Sequence, residues 1–234
     1  MNMVLLYNDD FISESEVILD NRRAEHIINI HRVSIGDTIS VGVLNGKKGV
    51  GEILEKSDTQ VRLGVTLTEE PPLFRDVLLV MALPRPQTLK KVLQSTTSMG
   101  IKTIHFIHTK RVEKSYWHSP LLEPENLNKH LVLGLEQGMD TVMPTLHFHK
   151  RFKPFVEEIL PTLTPGRISL IAHPVTEDPC PHNIQKPTLL AIGPEGGFNE
   201  YEVEKCIEAG LKPVHIGEHI LRVEYAVPFI LGRL

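Results

Sequence analysis

The sequence predicts an α/β architecture over residues 73–234, a parallel sheet flanked by helices, with a small β-rich unit over residues 1–72 ahead of it. Three observations carry this. Val77–Leu83, Ile168–Ala172 and Thr188–Ile192 are short apolar runs of the buried-strand type. After Val77–Leu83 and after Thr188–Ile192 come turn residues and then a helical pattern, the alternation of strand and helix that argues for a parallel sheet. Upstream of Pro71-Pro72 the pattern is different: alternating segments flank the hairpin signal Asn45-Gly46.

In the N-terminal unit, Asp20 is a plausible N-cap, and Ala24, Ile27 and Ile28 form an apolar stripe at helical spacing. Ser34-Ile35-Gly36-Asp37 reads as a turn. Thr38–Leu44 alternates as a strand, Gly49–Leu54 returns after Asn45-Gly46, and Val61–Leu67 is a third strand. The proline pair closes the unit as a stiff linker.

From Phe74 on, Val77–Leu83 is the first buried strand and Gln87–Met99 a helix ended by Gly100. Thr103–Ile107 is the next strand, and Leu121–Gln137 a helix ended by Gly138. Phe155–Leu160 is short and helical, and His147 and His149 stand in an alternating stretch as surface histidines of a strand. Glu200–Ala209 is a helix before Gly210, with Asn199 as its cap, and Pro213–Ile216 is the last strand. Pro228 lies inside the terminal helical pattern, so a short turn is expected before it and the helix proper from it.

The composition is that of a globular protein, with 41% hydrophobic and 23% charged residues, which excludes disorder. No apolar run is long enough to cross a bilayer, residues 1–12 hold no secretory core, and two cysteines make no disulfide framework. A cytoplasmic location without membrane attachment is expected. Net charge is −4 but unevenly spread. Residues 1–72 carry 7 basic and 12 acidic side chains, whereas residues 75–116 carry 8 basic and 2 acidic. A local positive field suits a phosphate backbone, and it equally suits a solvated face.

The segment that carries chemistry is Leu189-Leu190-Ala191-Ile192-Gly193-Pro194-Glu195-Gly196-Gly197-Phe198. An apolar strand enters a glycine-rich turn, which then opens an acidic-started helix. Open α/β sheets bind ligands at such strand ends, and glycines let the main chain approach a flat ring closely. A tight turn needing glycine for geometry alone is the plain alternative. G-x-G-x-x-G is absent, and Gly46-Lys47-Lys48 lacks P-loop spacing. His173, Asp178, Cys180 and His182 lack the paired spacing of a zinc site, so no metal is expected. A second glycine-bearing segment, His215 to Ala226, brings Arg222 and Glu224 a few residues after Gly217.

Gly193-Pro194-Glu195-Gly196-Gly197-Phe198, followed by Ile216-Gly217-x-x-Ile220-Leu221-Arg222-Val223-Glu224-x-Ala226, resembles the RsmE family of SPOUT methyltransferases. The resemblance extends to Ala24-Glu25-His26-Ile27, Ile30-His31-Arg32-Val33, Gly36-Asp37, Lys90-Lys91-x-Leu93-Gln94, Gly100-Ile101 and Glu136-Gln137 with Pro144, nearly the whole chain. It implies an S-adenosylmethionine-dependent enzyme that methylates N3 of a uridine in 16S ribosomal RNA, free or in the assembled small subunit. It further implies a C-terminal domain with a deep trefoil knot, an N-terminal PUA-like RNA-binding β-barrel and a homodimer. By resemblance the methyl donor sits among His173, Pro174, Gly193, Pro194, Glu195, Gly196, Gly197, Ile216, Gly217, Ile220, Leu221 and Arg222. The chain departs from the pattern at Tyr225, where the family has threonine, and at Asp140, where it has arginine.

Methylation of N3 requires a proton acceptor and a counter-charge for the oxygens, and Arg222 and Glu224 are the nearest such pair in sequence to the donor loops. A structural salt bridge between those two is the alternative. Arg22, Arg23, His26 and Arg32 form a candidate RNA edge, with Arg85, Lys110 and Arg111 from the basic stretch, and solvated faces are the alternative there. Tyr116 and Trp117 are either stacking platforms or packing aromatics. The apolar stretch Val227, Phe229, Ile230 and Leu231 predicts a twofold dimer. Three other functions stay open: a catalytically inactive RNA-binding assembly protein, a methyltransferase for another base, and an unrelated phosphate-binding enzyme.

Overall fold

The computed structural model describes residues 2–31 and 33–234, which form two compact units. The first comprises Met1–Leu73 together with Val132–Met143, and the second Phe74–Leu131 together with Pro144–Leu234.

The first unit is built on a five-stranded sheet. Its strands are β1 (Val4–Leu6), β2 (Glu16–Leu19), β3 (Thr38–Val43), β4 (Lys48–Lys56) and β5 (Val61–Glu69), in the order β1-β3-β4-β5-β2. β1 runs parallel to β3 and the other pairs are antiparallel. Asn45, at φ +58°, makes the expected turn between β3 and β4. Leu6, Val17, Leu19, Ala24, Ile53 and Leu63 fill the core, all fully buried. Helix α1 (Arg22–His26) continues as a π-helical turn, Ile27–His31. Its cap is Asn21, whose side chain accepts from the Arg23 N–H, and not Asp20 as the sequence pattern suggested.

Val132–Met143 joins this unit, although sequence reading assigned it to the second domain. Val132 and Leu135 pack on Met3 and Leu5 in a satellite core. The hydroxyl of Thr141 donates to Gly46 O at 2.5 Å, and the Met143 N–H donates to the Asn45 side chain at 2.9 Å. The packing is tight: a Cβ on Gly42 of β3 would stand 2.5 Å from the Thr141 methyl.

The second unit holds a six-stranded, wholly parallel sheet. Its strands are β6 (Arg75–Ala82), β7 (Ile101–Ile107), β8 (Thr145–His149), β9 (Ile168–Ala172), β10 (Thr188–Ile192) and β11 (Lys212–Val214), in the order β11-β9-β10-β6-β7-β8. Strand order reverses between β6 and β10, which marks the switch point where such sheets bind ligands. The helices are α2 (Pro86–Ser98), α3 (Pro124–Gly138, whose last turns lie in the first unit), α4 (Phe152–Pro154), α5 (Leu160–Leu163), α6 (Glu200–Glu208) and α7 (Val223–Arg233). A π-helical turn, Phe155–Ile159, links α4 and α5.

One expectation is overturned at α7, and the ground given for a second is narrowed. The helix runs unbroken through Pro228 and does not start there. Proline removes one i→i−4 donor, but Val227, Ile230 and Leu231 are buried within the chain, and α7 packs on α2. Those three side chains therefore need no second subunit to cover them, and of the stretch only Phe229 stays largely exposed. No helix is long and apolar enough to cross a membrane among the described residues.

Candidate active site

All five residues of β10 are buried, so the strand delivers Gly193 to the carboxyl edge of the sheet from a rigid base. The loop that follows turns back on itself through a Gly197 N–H to Pro194 O hydrogen bond of 2.8 Å, with Gly197 at φ +75°. Asn199 then caps α6 by a reciprocal box: its side chain accepts from the Glu202 N–H, and the Glu202 carboxylate accepts from the Asn199 N–H. Gly193 has a steric reason to be glycine. A Cβ there would stand 3.0 Å from Phe198 N and 3.1 Å from its ring.

Beyond the carboxyl ends of β9, β10 and β11 lies a cavity of about 530 Å³. His173 and Pro174 after β9, Gly193 to Gly197 after β10, and Ile216, Gly217, Ile220 and Leu221 after β11 all line it, with an apolar floor of Val223, Ala226 and Ile230. Eleven of the twelve residues expected around the methyl donor thus meet on one cavity, and Arg222 is the exception. Its size falls in the range of about 300–1,000 Å³ usual for ligand sites. Its chemistry fits S-adenosylmethionine: an apolar wall for the adenine ring and, where the three loops meet, main-chain groups to read its edge. Among the described residues no group of three or more His, Cys, Asp or Glu is arranged to hold a metal.

Arg222 lines an adjoining cleft with Arg85, Gln87, Thr88, Lys91 and Glu224, which shares Glu195, Ile220 and Leu221 with the cavity. The structure does not pair Arg222 with Glu224. Glu224 stands 3.7 Å from Lys91 Nζ and is largely buried, whereas the Arg222 guanidinium is exposed and makes no hydrogen bond or ion pair among the described residues. A carboxylate and an uncommitted guanidinium therefore open on one polar cleft. Burial pushes the Cys206 thiol up to about 12 and raises that of Cys180, so neither is a thiolate nucleophile.

The expected RNA-contacting residues separate. Arg23 is a correction: it is 5% exposed, and its guanidinium is spent on Asp10 at 2.6 and 2.7 Å, Leu5 O at 2.8 Å and the Asn21 side chain at 3.0 Å, 4.8 Å above the Tyr7 ring. A buried arginine with all three nitrogens bonded inside the chain holds its own fold. Arg22 is half exposed and pairs with the buried Glu136 at 3.0 Å. Burial raises the Glu136 carboxyl, and Arg22 opposes that shift. His26 is half-buried on α1, and Arg32 lies outside the described residues. Arg85 is exposed and bonded to Glu195, and Lys110 is exposed with its side chain unengaged among the described residues. Arg111 is also a correction. Its Nη1 donates to Gly196 O and to Phe198 O, so it is bound to the glycine loop. Trp117 is an internal contact, donating from Nε1 to the His108 ring at 2.9 Å. Tyr225 is exposed and outside the cavity lining, and Asp140 is buried.

Sequence reasoning missed Lys91, beside Glu224, and Glu202. The latter is 2% exposed and also accepts from the Lys110 N–H at 2.6 Å, tying the loop after β7 to the start of α6. The Asn199-x-x-Glu202 spacing was the available signal for Glu202.

Residues 69–234 match a family model described as an RNA methyltransferase domain. The ribosomal RNA small subunit methyltransferase E of Treponema pallidum is 29% identical over 97% of this chain and 87% of that protein. The methyltransferase E 1 of Borreliella burgdorferi is 26% identical over 97% of this chain and 94% of that protein. The crystal structure of ribosomal RNA small subunit methyltransferase E from Neisseria gonorrhoeae bound to S-adenosyl methionine superposes with a TM-score of 0.72 at 20% identity, covering 98% of this chain and 95% of that one.

Proposed function

The chain belongs to the family of RNA methyltransferase domains, and on that premise we propose that it methylates N3 of a specific uridine in the 16S RNA of the small ribosomal subunit, with S-adenosylmethionine as donor. The observation that carries this reading is one of adjacency. A three-loop cavity suited to the donor shares Glu195, Ile220 and Leu221 with a charged cleft that holds Glu224 and Arg222.

The donor, when bound, supplies an electrophilic methyl carbon on a sulfonium. The chain's residues do the rest. The strand-end loops would hold the donor in the cavity beside the cleft. Glu224 takes the N3 proton as N3 accepts the methyl, and Arg222 opposes the negative charge that spreads to O2 and O4. Lys91 keeps the Glu224 carboxylate in place.

The finer architecture belongs to the same reading. The first unit serves as a PUA-like barrel that binds RNA, through the half-exposed Arg22 despite its pair with Glu136, and Lys110 is the second unit's cation for it. The second unit is a SPOUT domain with a trefoil knot at its end. In support, Cys180 N–H donates to His215 O, and Asn183 and Ile184 N–H donate to Arg233 and Leu234 O, so the segment after β9 embraces the chain terminus. Exposed Tyr225 and Phe229 on α7 support a homodimer, and a ribosomal RNA target supports a cytoplasmic location.

The test is transfer of labelled methyl groups from S-adenosylmethionine to small-subunit particles lacking the modification. Incorporation at about one group per particle supports the reading. Donor binding without any transfer favours a catalytically inactive assembly protein, and stabilisation by nucleotides but not by the donor favours a phosphate-binding enzyme.

A further inference from the structure

The basic loop after β7 does not behave as a free phosphate-binding surface. Arg111 is exposed, yet its guanidinium is turned onto the glycine loop, where Nη1 donates to the carbonyls of Gly196 and Phe198. Its stem lies flat under the same loop: a Cβ built on Gly196 would meet Arg111 Cδ at 3.0 Å and Cβ at 3.4 Å. The backbone from which Arg111 projects is fixed as well. The Lys110 N–H donates to the buried Glu202 carboxylate at 2.6 Å, the Val112 N–H donates to Thr109 O at 3.1 Å, and Val112 is buried. Lys110, one residue earlier, has its side chain in solvent and unengaged among the described residues.

We propose that Arg111 is a positioning residue for the methyl-donor loop, and that Lys110 alone of the pair is available to RNA phosphate. The proposal rests on the reading of the three-loop cavity as the donor site. A loop with glycines at 193, 196 and 197 has a large unfolded-state entropy to lose, and among the described residues its internal main-chain tie is the Gly197 N–H to Pro194 O bond. Ordering it before the ligand arrives removes that cost from binding. Arginine suits the task because the planar guanidinium fixes the directions of the two Nη1 N–H bonds, one toward each carbonyl, while lysine offers a rotating point charge on a more mobile stem. Bonds to Gly196 O and Phe198 O bracket Gly197, the residue that closes the turn.

The test compares Arg111→Ala, Arg111→Lys and Lys110→Ala in the full chain. Three quantities are read: donor affinity by calorimetry, hydrogen exchange of the 193–198 amides without donor, and the salt dependence of binding to small-subunit particles. Arg111→Ala is expected to raise loop exchange and weaken donor binding on the order of tenfold, with Arg111→Lys between it and wild type. Its slope of log affinity against log salt stays that of wild type. Lys110→Ala is expected to reduce that slope by about one while donor affinity is kept. Should Arg111→Ala leave loop exchange and donor affinity unchanged and instead lower the salt slope, Arg111 is an ordinary phosphate contact and the proposal is overturned. A wild-type chain that binds no donor defeats the reading of the cavity instead, and the exchange measurement still decides whether Arg111 orders the loop.

Discussion

Oε1 of Glu195 accepts from both the backbone N–H and the Nε of Arg85, at 3.2 and 3.1 Å, so one carboxylate fastens the loop after β10 to the start of α2. Both partners are solvent-accessible, and exposed pairs contribute little to global stability. Glu195→Gln is therefore expected to melt within a few degrees of wild type and to bind the donor only a few-fold more weakly. Loss of turnover with donor affinity intact would instead make Glu195 the proton acceptor.

Gly193→Ala is a sharper perturbation of the same loop. The new methyl meets Phe198 N and ring at 3.0 and 3.1 Å, and a backbone atom of Gly197 at 3.3 Å, none of them a flexible side-chain end. Overpacking of this kind costs about 1–3 kcal/mol. A lowered melting temperature and at least about tenfold weaker donor binding are expected, the latter equal to about 1.4 kcal/mol. Unchanged calorimetry would show that the loop does not form the donor site.

Arg222→Ala and Glu224→Gln separate binding from chemistry. Arg222 does not line the cavity, and Glu224 faces the neighbouring cleft. Donor affinity is expected to stay within a few-fold, while turnover falls by about 10²–10³, as when a single charge-stabilising donor is removed. A matching loss of donor affinity would place both residues in the donor site and leave the proton acceptor unassigned.

Stability should show a histidine signature. His105 is buried, stacks on His147 and His149 at 4.4 and 5.2 Å, and shares a 3.0 Å hydrogen bond with His149. Burial, then the charges of His147 and His149, lower its pKa from 6.5 to about 4. The neutral form is the one the fold accommodates. Between pH 6.5 and about 4 the unfolded chain binds the extra proton, so the contribution of His105 is full above 6.5 and is lost as pH falls through that window. The limiting slope from one such group is about 1.4 kcal/mol per pH unit. His105→Phe should flatten denaturant-derived stability against pH there, and a slope equal to that of wild type would remove His105 from the account.

How much of this was legible in the sequence depends on the range of the interactions. Thr188–Ile192 and Ile168–Ala172 were read to the residue, because a strand buried on both faces is apolar throughout and bounded by turn residues. Two of the three cavity loops follow from them, since His173-Pro174 and Gly193 come directly after those strands. Val132–Met143 could not be placed, because its partners Met3 and Leu5 lie more than a hundred residues away and nothing local marks the pairing. Arg23 and Arg111 look like any surface cation in sequence, and only the carbonyls and carboxylates that face them reveal their roles. Pro228 misled because the rule against helical proline is local, whereas the burial of Val227, Ile230 and Leu231 is not.

The central claim is met most directly by mass spectrometry of 16S ribosomal RNA from cells lacking this protein, before and after incubation of their small subunits with protein and S-adenosylmethionine. The account predicts one uridine unmodified before incubation and converted to 3-methyluridine afterwards. An intact 3-methyluridine in the deletion strain, or a methyl group that appears on another base, would contradict it.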